Sequence, residues 1–279
     1  MMFKNLNKIL ESKVTTSPFP HLVIDNFLDS STVNELHNEL RFNLSKEKNE
    51  LKGPEIEADN QKQFGSYVLS QEKLESNSNL KISSKVNSFF KSKEFMESLV
   101  NKLSGFLESS TGFDKKNVLK EIKQDTLNSE ISFLPPSNAA KRREIHLDDS
   151  AVILAFLYYV RLPEDYSFGG SLNLLSREER YLFKSKIGTL ACDMLNIYPS
   201  DLSIEKTYDY TDNRLVVLCA SGYSWHEVST RRCAVTPRIT FHGSLVNGEK
   251  DNNLTLYAQN KILGNPLKKK LKYLLKLIK

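Results

Sequence analysis

The chain has 279 residues, 39% of them hydrophobic and 26% charged, with 11 Gly and 9 Pro. This composition suits a folded domain with a sizeable core and excludes collagen-like, mucin-like and wholly disordered chains. The net charge of +5 sits at one end: residues 266–279 (PLKKKLKYLLKLIK) hold six lysines and no acid, which leaves the body close to neutral and without a nucleic-acid-binding face.

Residues 1–14 carry lysines but no apolar run and no small-residue cleavage site, so no secretory leader is expected. No run of about 18 apolar residues occurs, so no membrane-spanning helix is expected either. Cys192, Cys219 and Cys233 are odd in number and not closely spaced. They read as reduced thiols, buried as small apolar groups, in a cytoplasmic protein.

Residues 1–12 read as a short helix. Residues 21–24 (HLVI) read as a strand led in by Pro18 and Pro20. Asp29, Ser30 and Ser31 offer an N-cap for a helix running to about Phe42, with Val33, Leu36 and Leu40 on one side. Residues 45–63 are polar and read as a loop; 82–91 and 93–108 are helical. Beyond about Leu119 the texture changes. Ile131 and Phe133, then 151–160 (AVILAFLYYV), 171–175, 215–220 (LVVLCA) and 238–246 (RITFHGSLV), are strand-like and bounded by turn residues. Two of these runs are apolar on consecutive residues, as in strands buried on both faces. Residues 176–212 read as an insertion of helical and turn character. Strands and long helices do not alternate, which argues against a doubly wound parallel sheet and for an α+β, mainly β, sandwich or jelly roll. The expected organisation is one domain over 1–265, helix-rich in 1–118 with its β core in 119–246, followed by a basic amphipathic helix at 266–279. In that helix Leu267, Leu271, Leu274, Leu275 and Ile278 share a side. It either packs on the domain or makes a peripheral contact with an anionic membrane surface.

His146-Leu147-Asp148 stands at the entrance to the most apolar strand. Residues i and i+2 of a strand share a face, so an imidazole and a carboxylate project together, able to bind one metal ion. A third ligand must come from elsewhere, and His226, beyond the 215–220 strand, is the candidate. Two histidines and one carboxylate on one side of an ion leave other positions open, the facial arrangement of non-haem Fe(II) oxygenases. Arg238 and Thr240 share a strand face in turn; a guanidinium with a hydroxyl beside it can grip a carboxylate. The same three ligands around Zn²⁺ would suit a hydrolase, but a hydrolase has no need of that clamp.

At these residues the sequence resembles the Fe(II)- and 2-oxoglutarate-dependent dioxygenases, in their prolyl-4-hydroxylase-like branch. PFPHLVIDNFLDSSTVNEL, HLDDSAVILAFLYYVRLPEDYSFGGSLNLL, NRLVVLCASGYSWHEVS and RITFHGSL carry the resemblance, with Gly243 five residues after Arg238. It implies a double-stranded β-helix of the cupin-like kind. It implies that His146, Asp148 and His226 bind Fe(II) and that Arg238, with Thr240 beside it, holds 2-oxoglutarate. It implies O2 as oxidant, ascorbate as an optional reductant, and release of succinate and CO2. Asp148 implies hydroxylation, because halogenating relatives lack that carboxylate. The hydroxylated partner is a prolyl residue, a glycan or a small molecule. Ser171 stands where many members are acidic, and Phe133 is the nearest aromatic on the strand where others have a tyrosine. The competing expectation is a non-catalytic jelly roll that docks through its basic tail.

By alternation one of Tyr158 and Tyr159 faces inward, and Tyr159 is the one assigned to the co-substrate pocket. His21, His37 and His242 read as structural. Glu227 points away from the metal in a regular strand. Trp225 either touches substrate or anchors its turn. Gly169-Gly170 lacks the strand-to-helix context of a phosphate loop.

Overall fold

A computed structural model describes residues 5–46, 67–111, 115–123, 126–139, 143–148, 152–176, 202–221 and 223–246. The N-terminal part contains α1 (Leu6–Glu11), β1 (His21–Ile24), α2 (Ser30–Lys46), β2 (Tyr67–Ser70), α3 (Gln71–Ser76), α4 (Lys81–Phe90), α5 (Lys93–Thr111) and α6 (Lys115–Lys123). Strands follow: β3 (Leu127–Leu134), β4 (Arg143–His146), β5 (Val152–Val160), β6 (Phe168–Gly169), β7 (Leu172–Ser176) and β8 (Ser203–Tyr208). The last are β9 (Arg214–Cys219), β10 (His226–Val228), β11 (Arg231–Arg232) and β12 (Arg238–Val246).

The strands form a six-stranded sheet in the order β1-β9-β5-β12-β3-β2, a four-stranded sheet β4-β10-β7-β8, and a two-stranded ribbon β11-β6. Period-two alternation sorts the side chains of the larger sheet into two layers. Leu154, Phe156, Tyr158 and Val160 of β5, Leu215 and Val217 of β9, and Ile239 and Phe241 of β12 pack against the helices. The intervening residues, Tyr159, Val216 and Leu218, meet Leu172 and Leu174 of the smaller sheet. The two sheets thus lie face to face, with the helices covering the outer side of the larger one. This is a double-stranded β-helix.

The helical layer forms because its apolar residues recur at helical spacing. Phe95, Met96, Leu99, Val100, Leu103 and Leu107 of α5 are all buried, a stripe of the width that one core-facing side presents. At the centre Phe90 has ring centroids 5.1 Å from Tyr158, 5.2 Å from Phe95, 5.3 Å from Phe156 and 5.8 Å from Phe241. The start of α2 is capped as its sequence suggests. Asp29 Oδ1 accepts from the Thr32 amide at 2.9 Å and from Ser31 Oγ at 2.6 Å. These bonds, the Ser31 hydroxyl foremost, pull the Asp29 carboxyl down to about 2.

Asn213 joins this cap region to the sheet. With a left-handed φ of 56°, it donates its amide to the Tyr159 carbonyl at 2.9 Å. Its side chain accepts from the Leu28 amide at 2.7 Å and from Tyr158 Oη at 3.0 Å. The inward-or-outward question over the two tyrosines is thereby decided: Tyr158 faces the helices and Tyr159 the space between the sheets.

Several expectations change. His146 closes β4 in the smaller sheet rather than opening β5, and Asp148 lies beyond the strand end. Part of the segment read as an insertion is strand β8, paired with β7. Phe133 points into the helical core, not between the sheets. Cys219 is buried as expected, and burial pushes its thiol up to about 12, but Cys233 is exposed. The helix at 266–279, Cys192 and nearly all of the 45–63 loop lie outside the described residues. Among the described residues no helix is long and apolar enough to cross a membrane.

Candidate metal centre

His146 lies directly across from His226 in the antiparallel pair β4–β10, and His226 is also paired with Leu174 of β7. Directly opposed residues of antiparallel strands project to the same face. Leu174 is buried between the sheets, so both imidazoles face that space. Their ring centroids are 4.2 Å apart. Asp148 brings Oδ1 to 3.8 Å from His226 Nε2. One donor atom from each of the three residues lies within 4.8 Å of the other two. Side-chain torsions can close that separation to the roughly 3 Å between donors held at right angles on one ion.

The local bonding prepares these donors. His226 Nδ1 stands 2.8 Å from the Ser224 carbonyl, which can only accept. Nδ1 therefore carries the proton and Nε2 presents its lone pair to the site, the usual way in which an outer partner fixes a metal-binding tautomer. Asp148 Oδ2 is buried with no hydrogen-bond partner, an expensive state for a carboxylate unless a cation sits beside it. The donor set and its orphaned oxygen fit a divalent metal ion. Glu227 points the other way, accepting from Asn173 Nδ2 at 2.8 Å.

The larger sheet supplies the facing wall. Thr240 of β12 is directly opposite Tyr159 of β5. Arg238 donates through Nη1 to Thr240 Oγ1 at 3.2 Å. Its guanidinium carbon lies 5.1 Å from the Tyr159 ring centroid and 5.2 Å from that of Tyr210, within cation–π reach of both. Arg238 Nε and Nη2 and the Tyr159 hydroxyl are buried without hydrogen-bond partners. A half-buried guanidinium with two buried, unused donors suits a ligand carboxylate. Burial raises the Tyr159 phenol above its ordinary value, opposed by Arg238.

The structure thus brings His146, Asp148 and His226 together on one side of the inter-sheet space, and Arg238, Thr240 and Tyr159 on the wall opposite. The sequence reading missed Tyr210, because it lies in the segment read as an insertion. Its hydroxyl donates to the Val160 carbonyl at 2.5 Å and accepts from the Ile239 amide at 3.0 Å. Burial pushes it up to about 12. Gly169 and Gly170 have φ of 83° and 72°, and a Cβ on Gly170 would lie 2.8 Å from Arg231 Cγ. A Cβ on Gly169 would lie 2.0 Å from the Thr230 carbonyl oxygen, and these close approaches with the positive φ values, not a phosphate, explain the pair.

In comparison with solved structures, the chain is similar to a prolyl hydroxylase from Trichoplax adhaerens in complex with a hypoxia inducible factor oxygen degradation domain peptide. The identity is 15% and the TM-score 0.48, covering 88% of this chain and 90% of that one. It is similar to a Pseudomonas putida prolyl-4-hydroxylase at 14% identity and TM-score 0.40, covering 90% and 94%. It is also similar to an Arabidopsis thaliana dioxygenase for auxin oxidation in complex with 2-oxoglutarate, at 14% identity and TM-score 0.45, covering 91% of each. These three are two prolyl hydroxylases and a dioxygenase bound to 2-oxoglutarate. No family model and no curated protein matches the chain.

The remaining candidates are structural. His21 is buried between the Phe19 carbonyl and Tyr208 Oη, each at 2.7 Å. His37 pairs with Asp212 at 3.0 Å, and the half-buried His242 lies 3.5 Å from Glu130. Trp225 is buried against Leu175, with Ile145 and Leu147 packed alongside, and its Nε1 is buried without a hydrogen-bond partner.

Proposed function

We propose that this protein is an Fe(II)- and 2-oxoglutarate-dependent dioxygenase that hydroxylates an organic substrate and releases succinate and CO2. The observation that carries this is the convergence of His146, Asp148 and His226 donor atoms to within 4.8 Å of one another. These three residues would hold Fe(II). Arg238, with Thr240 beside it, would hold the distal carboxylate of 2-oxoglutarate, and Tyr159 would form the pocket wall. When bound, the metal and co-substrate supply the oxidising chemistry, drawn from O2, that inserts oxygen into a C–H bond.

The chain's own contribution is position and exclusion of water. Two imidazoles and one carboxylate would hold the ion and would leave room for co-substrate and O2. Asp148 would take the place that a halide would need, which favours hydroxylation. The buried face between the sheets, lined by Tyr159, Leu172, Leu174 and Tyr210, keeps solvent from the reacting atoms. A prolyl residue, a glycan or a small molecule is the proposed substrate.

Anaerobic titration of the purified chain with Fe(II), then 2-oxoglutarate, is expected to raise an absorption band near the green edge of the visible spectrum. His146→Ala removes it. Folded wild-type protein that develops no band overturns the proposal. Mass spectrometry of cell extract incubated with the loaded protein then finds the substrate as a species that gains one oxygen atom.

A further inference from the structure

Three guanidinium groups crowd one aromatic ring. The central carbons of Arg161, Arg231 and Arg238 lie 5.8, 5.7 and 5.2 Å from the Tyr210 centroid. Arg231 is only 3% exposed. Its Nη2 donates to Asp165 Oδ2 at 3.0 Å and to the Thr236 carbonyl at 2.9 Å, and its Nε donates to Ser167 Oγ at 3.1 Å. Its Nη1 is buried with no hydrogen-bond partner, as are Nε and Nη2 of Arg238. The two side chains are neighbours: a Cβ on Gly170 would lie 3.0 Å from Arg231 Cδ and 3.6 Å from Arg238 Cδ.

Charge in this nest is not balanced. Arg161 donates to the main-chain carbonyls of Asp165, Ser167 and Tyr210. Among the described residues, Asp165 is the carboxylate bonded to any of the three guanidinium groups, through Arg231. Neither tyrosine supplies a second negative charge, because burial raises both phenols and keeps them neutral. Three guanidinium groups with one carboxylate among their partners, and with buried, unused donors on Arg231 and Arg238, suit an anionic ligand.

We propose that Arg231 is a second cationic arm of the Arg238 pocket, its Nη1 joining Arg238 in holding the distal carboxylate of a 2-oxo dicarboxylate. This inference rests on the 2-oxoglutarate reading of the site. Asp165, Ser167 and the Thr236 carbonyl fix the arm before ligand arrives, so its direction is set in advance. Gripped by two guanidinium groups, the pocket discriminates against 2-oxo acids whose far end is a methyl group.

The test is calorimetric titration of the full chain, loaded with Mn(II), with 2-oxoglutarate and with 2-oxopentanoate, which lacks the distal carboxylate. Removing Arg231 alone would strand buried Asp165, so the paired variant R231Q/D165N is measured beside R231K, which keeps a cation next to Asp165 and removes the planar fork. Both variants are expected to bind 2-oxoglutarate about 10- to 100-fold more weakly, the effect of one charge-assisted hydrogen bond. Their 2-oxopentanoate binding stays as in the wild type. Unchanged 2-oxoglutarate affinity in the folded variants, or equal losses for both ligands, makes Arg231 purely structural; it overturns this inference and leaves the proposed reaction standing. Wild-type chain that binds no 2-oxoglutarate overturns both.

Discussion

Asp148 illustrates how a functional residue can burden the empty protein. One of its oxygens is buried without a hydrogen-bond partner, and the other lies 3.8 Å from His226 Nε2, beyond hydrogen-bonding distance. Replacing it by Ala removes a poorly solvated charge, so the metal-free Asp148→Ala protein is expected to unfold at the wild-type temperature or above. The two proteins separate on adding Fe(II) under nitrogen. A ligand at about 100 times its dissociation constant stabilises the native state by about 2.7 kcal/mol. Wild type should show a corresponding rise in thermal midpoint and Asp148→Ala none. A variant that is destabilised without metal, or that still responds to it, contradicts this reading of the carboxylate. His21 gives a second residue-scale outcome, through pH. Burial lowers its pKa below the ordinary 6.5, against the opposing pull of the Phe19 carbonyl. The native state therefore binds fewer protons than the unfolded state below that pH, and stability is lost as pH falls through the lowered native value. Thermal midpoints measured from about pH 7.5 down to about pH 5 should fall in wild type, and His21→Gln, which cannot titrate, should flatten the decline. An identical slope in both proteins would assign the acid sensitivity elsewhere.

Among the elements, the long β strands were legible as β-rich apolar runs bounded by turn residues, with β5 and β9 buried on consecutive residues because both of their faces are covered. Arg238 and Thr240 share a face of β12, and Tyr159 of β5 stands opposite Thr240, as period two predicts. Of the short strands, β1 and β7 were legible as apolar runs and others were not. β8 reads SIEKTY and is largely exposed, so its side chains carry no hydrophobic alternation to detect. β10 is three residues long and β4 four, both with polar residues at functional positions. α6 (KKNVLKEIK) has only Val118 and Ile122 among its buried apolar side chains, too few for a clear stripe. One glycine in a legible strand has an element-scale consequence. Gly243 sits in β12 between β3 and β5, opposite Ser129 on one side and Phe156 on the other. A Cβ there would lie 2.1 Å from the Asn128 carbonyl oxygen and 2.7 Å from Phe156 Cε1. Backbone on one side and a packed ring on the other leave little room to yield. Gly243→Ala is expected to cost about 1–3 kcal/mol or more, read as a lower urea midpoint with an unchanged denaturant slope. A neutral substitution would mean that the β3–β12 pair can move apart locally without cost.

At the scale of the whole molecule, what the sequence could not reveal is which sheet each ligand belongs to. His146 and Asp148 precede β5 closely in the chain, yet β4 pairs with β10 and lies in the sheet facing β5. The ligand pair thus comes from one sheet and the arginine wall from the other, a long-range arrangement that local spacing does not encode. This division assigns different structural support to the two halves of the site. Phe90 is fully buried on the helical side, against Phe156 and Tyr158 of β5 and Phe241 of β12. These strands carry Tyr159 and Thr240 on their opposite faces, while His146 and His226 sit in the other sheet. Phe90→Ala opens a cavity behind the arginine wall and is expected to cost about 3–5 kcal/mol, a large share of the stability of an ordinary domain. Because the damaged layer backs only one half of the site, the folded fraction should keep its Fe(II) affinity while 2-oxoglutarate binding weakens. Urea denaturation gives the first quantity, and calorimetric titration at low temperature, where the variant remains native, gives the other two. Parallel loss of metal and 2-oxoglutarate binding would show that the two sheets respond as one unit, and that the helical layer supports the metal ligands as well.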